Sequence, residues 1–274
     1  MTDQSHKLTL EDLYGVWNSG PDEFWDTIDR SHYPRPREML YEKMGELGCG
    51  EDHRVLDIGC WGARHSFELA HRFGCRVAAV DILPEHVERA KNATQEQELS
   101  HLVEVSQGDI HSLSFPCGEF DYIWCRDMLP NVRNIGRAFV ECHRVLKGGG
   151  KVLIFTDFET QLMEPKEAAR LYADVVHPES VSRPAVEDAI RKAGLKIEER
   201  EDVGTEFMEW DEENKGNVRG QDFLYFARMV RSRDALIARF GYKIYEAEMI
   251  GLLWDAYVGL GKLMPVMYIL SKPV

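Results

Sequence analysis

The chain has 274 residues, 44% of them hydrophobic, and sets 47 acids against 33 Lys plus Arg for a formal net charge of -14. That length holds one generous domain, or a domain with a sizeable insertion. The acidic balance argues against a nucleic-acid partner, because polyanion binding needs clustered Lys and Arg, and no apolar run approaches the roughly 18 residues of a membrane span.

In chain order, Leu10 to Trp17 and Pro21 to Ile28 read as short helices, and Pro34-Arg35-Pro36 breaks the chain before a helix over Arg37 to Leu47. That last helix places Met39, Leu40, Met44 and Leu47 on one face. The segment is dense in aromatics (Tyr14, Trp17, Phe24, Trp25, Tyr33), which either staple it to the domain or cap a site. Five apolar runs follow. Val55-Leu56-Asp57-Ile58 breaks into Gly59-Cys60-Trp61-Gly62-Ala63 ahead of helix-forming residues, the pattern of strand, tight turn and helix. Arg76 to Val80 ends in Asp81, Leu102 to Val105 leads into Gly108-Asp109-Ile110, Phe120 to Cys125 precedes Arg126-Asp127, and Lys151 to Phe155 follows Leu146-Lys147-Gly148-Gly149-Gly150. Helical periodicity fills 65–74, 84–98 and 134–147 between them. Strand and helix alternating through short connections predict a doubly wound α/β sheet whose strand ends share one ligand-binding edge.

Beyond the fifth strand, helical patterns near 164–176 and 183–194 precede a strand at Lys196 to Arg200. About 60 residues, largely helical over 223–240 and 244–257, then intervene before a last strand, Val266 to Leu270. The expected layout is therefore a helical cap over 1–50, a core over 51–203 and 264–274, and a helical insertion over 204–263 acting as a lid.

From Arg54 to Asp157, with the last strand, the chain resembles the class I S-adenosylmethionine-dependent methyltransferases of the small-molecule type. The likeness rests on five features in order: Asp57-x-Gly59, Asp81, Gly108-Asp109, Phe120-Asp121, and Leu146-Lys147-Gly148-Gly149-Gly150. It implies a mostly parallel, seven-stranded Rossmann-like sheet, S-adenosylmethionine as cofactor, and methyl transfer to an oxygen, nitrogen or carbon of a small molecule. It further implies Asp57, Gly59, Cys60 and Trp61 around the methionine portion, Asp81 at the ribose and Asp109 near the adenine, with Ile82, Ile110 and Arg126 also at the cofactor. The chain departs from the family at Trp61 and Ala63, where further glycines are usual, and at Asn131, where many members carry a histidine. Gly62 is the position expected to absorb the strain of that turn.

A dehydrogenase would want Gly-x-Gly-x-x-Gly after the first strand, which Gly59 to Arg64 does not supply. Two alternatives stay open: a protein that binds the cofactor without methyl transfer, and a protein or nucleic-acid methyltransferase. Catalytic residues are the least legible part. The candidates are His177, Tyr33 and Asp127; Glu206, Glu209 and Trp210 open the insertion, and Arg64 and His65 follow the first turn. The six cysteines show neither CxxC pairing nor metal-ligand spacing, so reduced thiols and no metal are expected. Met1 to Lys7 lacks signal-peptide character, which reads as cytoplasmic. Neither a membrane nor a nucleic acid is an expected partner, and a homodimer stays open.

Overall fold

A computed structural model describes residues 36, 38–172, 176–215 and 218–274. The first two expected helices and Tyr33 lie outside those residues, and so does most of the cap. Among the described residues seven strands form one sheet in the order β3-β2-β1-β4-β5-β7-β6. They are β1 (Arg54–Ile58), β2 (Arg76–Asp81), β3 (Val103–Gln107), β4 (Phe120–Arg126), β5 (Leu146–Glu159), β6 (Lys196–Asp202) and β7 (Leu263–Ser271). β1 to β5 pair in parallel, while β7 runs antiparallel between β5 and β6. The chain order reverses between β1 and β4, and that switch point opens a crevice above the strand ends.

Alternation along the strands builds two cores. On one face Leu56, Ile58, Ala78, Val80, Ile123 and Ile154 pack under α4 (Ile135–Val145) and α6 (Arg183–Lys192). On the other, Val55, Val77, Ala79, Trp124, Leu153 and Phe155 pack under α1 (Met39–Glu46), α2 (Arg64–Phe73) and α3 (Pro84–Glu96). Both faces being covered explains why these strands read as continuous apolar runs. Local signals set the helix ends: Asn134 caps α4 by accepting from the Arg137 N–H at 2.9 Å, Pro84 opens α3, and Gly74 (φ 65°) closes α2.

The insertion differs in detail from its sequence pattern. α5 spans Pro165–Tyr172, α7 covers Glu206–Lys215, and the 223–240 periodicity divides at Ser232 into α8 (Val218–Arg231) and α9 (Arg233–Phe240), followed by α10 (Tyr242–Gly259). Leu171, Tyr172, Met208, Met249, Leu253 and Leu263 form a third apolar cluster, joining these helices to the sheet edge. The described residues from 38 onward accordingly fall in one compact unit. β5 runs past Phe155, where the apolar run stops, because β7 pairs with it as far as Glu159↔Leu263. That extension carries Asp157 to where Trp254 of α10 meets it.

Candidate active site

The first turn is held by its backbone. The N–H groups of Gly59 and Cys60 both donate to the Val80 carbonyl, at 2.9 and 3.0 Å. Gly59 has φ 77°, and a Cβ there would lie 2.9 Å from the Met128 Cβ, so its lack of a side chain is required twice. The strain expected at Gly62 falls on its neighbours instead: Trp61 (φ 49°) and Ala63 (φ 61°) take left-handed conformations where the family has glycines. Trp61 is 55% exposed, and the Arg89 guanidinium sits 5.0 Å from its ring centroid. The indole has turned outward to the rim of the crevice rather than inward beneath the turn.

The crevice is a cleft of about 450 Å³ lined by Gly59, Trp61, Asp81, Ile82, Asp109 and Ile110, together with His86, Met128, Asn131 and Asp127. Asp81 is 7% exposed. Its Oδ2 accepts from the Trp61 N–H at 3.0 Å, and its Oδ1 from the Leu83 N–H at 3.0 Å with His86 Nδ1 at 3.2 Å. A carboxylate has about four acceptor sites, so capacity remains for a ligand hydroxyl. Asp109 uses Oδ1 for His111, at 2.9 Å to the backbone nitrogen and 2.6 Å to Nδ1. Burial alone would push the Asp109 carboxyl up, but the hydrogen bonds and charge of His111 outweigh it and hold the pKa low.

Three residues expected at the cofactor do not line this cleft. Asp57 is buried beneath the turn and accepts from Ser66 Oγ at 2.6 Å; desolvation pushes its pKa up to about 6 against that hydrogen bond. Cys60 packs into the core beside α2. Arg126 is buried, donates from Nε to Asp127 Oδ2 at 3.1 Å and stacks 5.2 Å from the Phe155 ring centroid. Their contacts include α2, the core and β5.

Asp127 and Asn131 also line a second space, a chamber of about 520 Å³. Its floor is Phe155 and Asp157 on β5, and its far wall comes from the insertion: Phe207 and Met208 of α7, Ile250, Trp254 and Asp255 of α10. Trp254 Nε1 donates to Asp157 Oδ2 at 2.7 Å, tying α10 to β5. Desolvation, with the negative charge of Asp127, pushes the Asp157 carboxyl up to about 7. Asp127 itself has φ 56°, and its N–H donates to the Phe155 carbonyl at 2.9 Å; α4 takes its cap from Asn134 instead. His177 bonds by its backbone N–H to Pro130 O at 2.9 Å, and its side chain is not among the chamber's lining. Phe207 and Met208 reach the chamber where Glu206, Glu209 and Trp210 do not. His65 lies on the opposite core face, bonded to Tyr41 Oη at 2.5 Å; burial lowers its pKa to about 3 and keeps the ring neutral. Asp157, Trp254 and Asp255 escaped the sequence reading, since only β7 pairing and the α10 crossing bring them together.

Residues 56–154 match the family described as methyltransferase domain. The chain is 29% identical over 177 residues to a sarcosine/dimethylglycine N-methyltransferase of Halorhodospira halochloris, covering 64% of this chain and 60% of that protein. It is 26% identical over 188 residues to the 27-O-demethylrifamycin SV methyltransferase of Amycolatopsis mediterranei, 66% of this chain and 67% of the other. The fold is shared with geranyl diphosphate C-methyltransferase of Streptomyces coelicolor A3(2), solved with Mg2+, geranyl diphosphate and S-adenosyl-L-homocysteine. That match has a TM-score of 0.62 at 18% identity, covering 86% of this chain and 79% of that one. These three relatives methylate nitrogen, oxygen and carbon by their names, so likeness alone leaves the nucleophile open. Among the described residues no helix is long and apolar enough to cross a membrane, and no group of three or more His, Cys, Asp or Glu could hold a metal ion.

Proposed function

The chain belongs to the class I S-adenosylmethionine-dependent methyltransferases, and from that premise we propose that it methylates a small molecule seated in the chamber between β5 and α10. The observation that carries this reading is the shared wall. Asp127 and Asn131 border both the cleft and the chamber, so donor and acceptor meet at the end of β4. When bound, S-adenosylmethionine supplies a methyl group on a positively charged sulfur. The residues present suit it: a glycine whose Cβ would collide with Met128, a strand-end carboxylate with spare acceptor capacity, and a second acid beside apolar Ile82 and Ile110.

In this reading Asp81 accepts the ribose hydroxyls and Asp109 the adenine amino group, with Ile82 and Ile110 covering the base. Gly59 lets the backbone approach closely. The insertion's contribution is to exclude water and hold the acceptor in near-attack geometry. Asp157, with a pKa near neutrality, is the group placed to take a proton from an acceptor that must lose one. Replacing Asp81 by Ala removes the ribose acceptor and weakens S-adenosylhomocysteine binding by about 1–3 kcal/mol in calorimetric titration. Unchanged affinity in that variant sinks the assignment. Binding without turnover of any amine, hydroxyl or activated-carbon acceptor supports the non-methylating alternative instead.

A further inference from the structure

We propose that the chamber admits an acceptor carrying an aliphatic cationic amine, held at Asp157 among Phe155, Phe207 and Trp254. The proposal rests on the methyl-transfer reading above and names the substrate class for it. Among the described residues the chamber lining includes Asp127, Asp157 and Asp255 but no Lys, Arg or His. The Arg126 guanidinium stacks on Phe155 and is engaged by Asp127. Among the described residues no cation pairs with Asp157.

Asp157 is the decisive residue. Protein encloses it on all sides but the chamber. Its Oδ2 accepts from the Trp254 indole, while Oδ1 has no hydrogen-bond partner among the described residues. An enclosed carboxylate oxygen left open onto a cavity is costly unless a ligand satisfies it, and more so for a charged group. A neutral or anionic acceptor leaves that cost standing, whereas an ammonium group relieves it by an ion pair and donates to Oδ1. The aromatic walls act in the same direction. Phe155 and Phe207 sit with ring centroids 5.3 Å apart beside Trp254, and ring faces attract cations most strongly where water is excluded. Among the described residues no group of three or more His, Cys, Asp or Glu could hold a metal ion, so an alkylated ammonium is the cation that fits these aromatic walls.

Calorimetric titration of the full chain saturated with S-adenosylhomocysteine, at about pH 8, tests this with two probes of one shape. Protonated N,N-dimethylethanolamine carries the cation, and 3-methylbutan-1-ol is its neutral carbon counterpart. The expected result is binding of the amine on the order of tenfold tighter than the alcohol. Asp157→Asn is expected to erase most of that preference, its retained S-adenosylhomocysteine affinity showing that it is folded. Equal binding of the two probes by the parent chain overturns the proposal and leaves the methyl-transfer reading intact. A preference that survives in Asp157→Asn also overturns it. Failure of the parent chain to bind S-adenosylhomocysteine removes the methyl-transfer reading, and this inference with it.

Discussion

Trp61 and Asp157 each hold a conformation or charge that an ordinary environment would not favour. A left-handed non-glycine residue costs about 1–2 kcal/mol. At Trp61 the relief from Trp61→Gly is offset by a lost exposed cation–π contact with Arg89, about 0.5–1 kcal/mol, and by the greater freedom of an unfolded glycine, also about 0.5–1 kcal/mol. The variant is therefore expected to unfold in urea within about 1 kcal/mol of the parent and to keep its cofactor affinity; a loss above about 2 kcal/mol would mean that the indole is a packing residue. Asp157 links to pH. Its folded pKa of about 7 lies above the unfolded value, so the folded state binds the extra proton. Its contribution to stability is complete below the unfolded pKa and is lost as pH rises through about 7. Asp157→Asn lacks that loss: its stability relative to the parent should rise by about 1–3 kcal/mol between pH 4 and pH 8, measured by urea unfolding at both. A flat difference across that window would contradict the raised pKa of Asp157.

At the scale of elements, Trp254 Nε1 joins α10 to β5 across the chamber by donating to Asp157 Oδ2. Removing that donor with Trp254→Phe leaves the aromatic packing largely in place but strips a hydrogen bond from an enclosed carboxylate. The expected cost is about 1–3 kcal/mol at pH 8, where Asp157 is ionised, and less at pH 5, where a protonated carboxyl needs the donor less. Chemical unfolding at the two pH values checks this; equal losses would show the contact to be packing alone. The insertion is tied further by apolar packing of Met208, Met249 and Leu253 on Leu171 and Leu263, by the Lys262–Glu167 ion pair, and by Thr160, whose hydroxyl donates to the Gly261 carbonyl at 2.7 Å.

For the whole molecule, a net charge of -14 means that like charges repel across the surface more than ion pairs such as Lys147–Asp121 and Arg183–Asp202 can offset. Raising salt from about 0.01 M to about 0.15 M shortens the screening length from roughly 30 to 8 Å, and the midpoint of thermal unfolding should rise by a few degrees. A falling midpoint would put the exposed ion pairs ahead of the repulsion. Much of the fold was legible in the sequence because its signals are local. Val55 to Ile58 and Arg76 to Val80 announce buried strands by continuous apolar runs, and the glycine at position 59 and the acid at position 81 follow from the turn chemistry at their ends. The Gly59, Asp81 and Asp109 edge of the cleft was accordingly within reach. What only the tertiary structure decided is non-local: that Asp57 and Arg126 turn into the core, that Trp61 rather than Gly62 bears the positive φ, and that Asp157 faces Trp254. No periodicity reports those outcomes, because a side chain's neighbours across 97 residues of sequence depend on strand pairing and helix crossing, not on its own local preference.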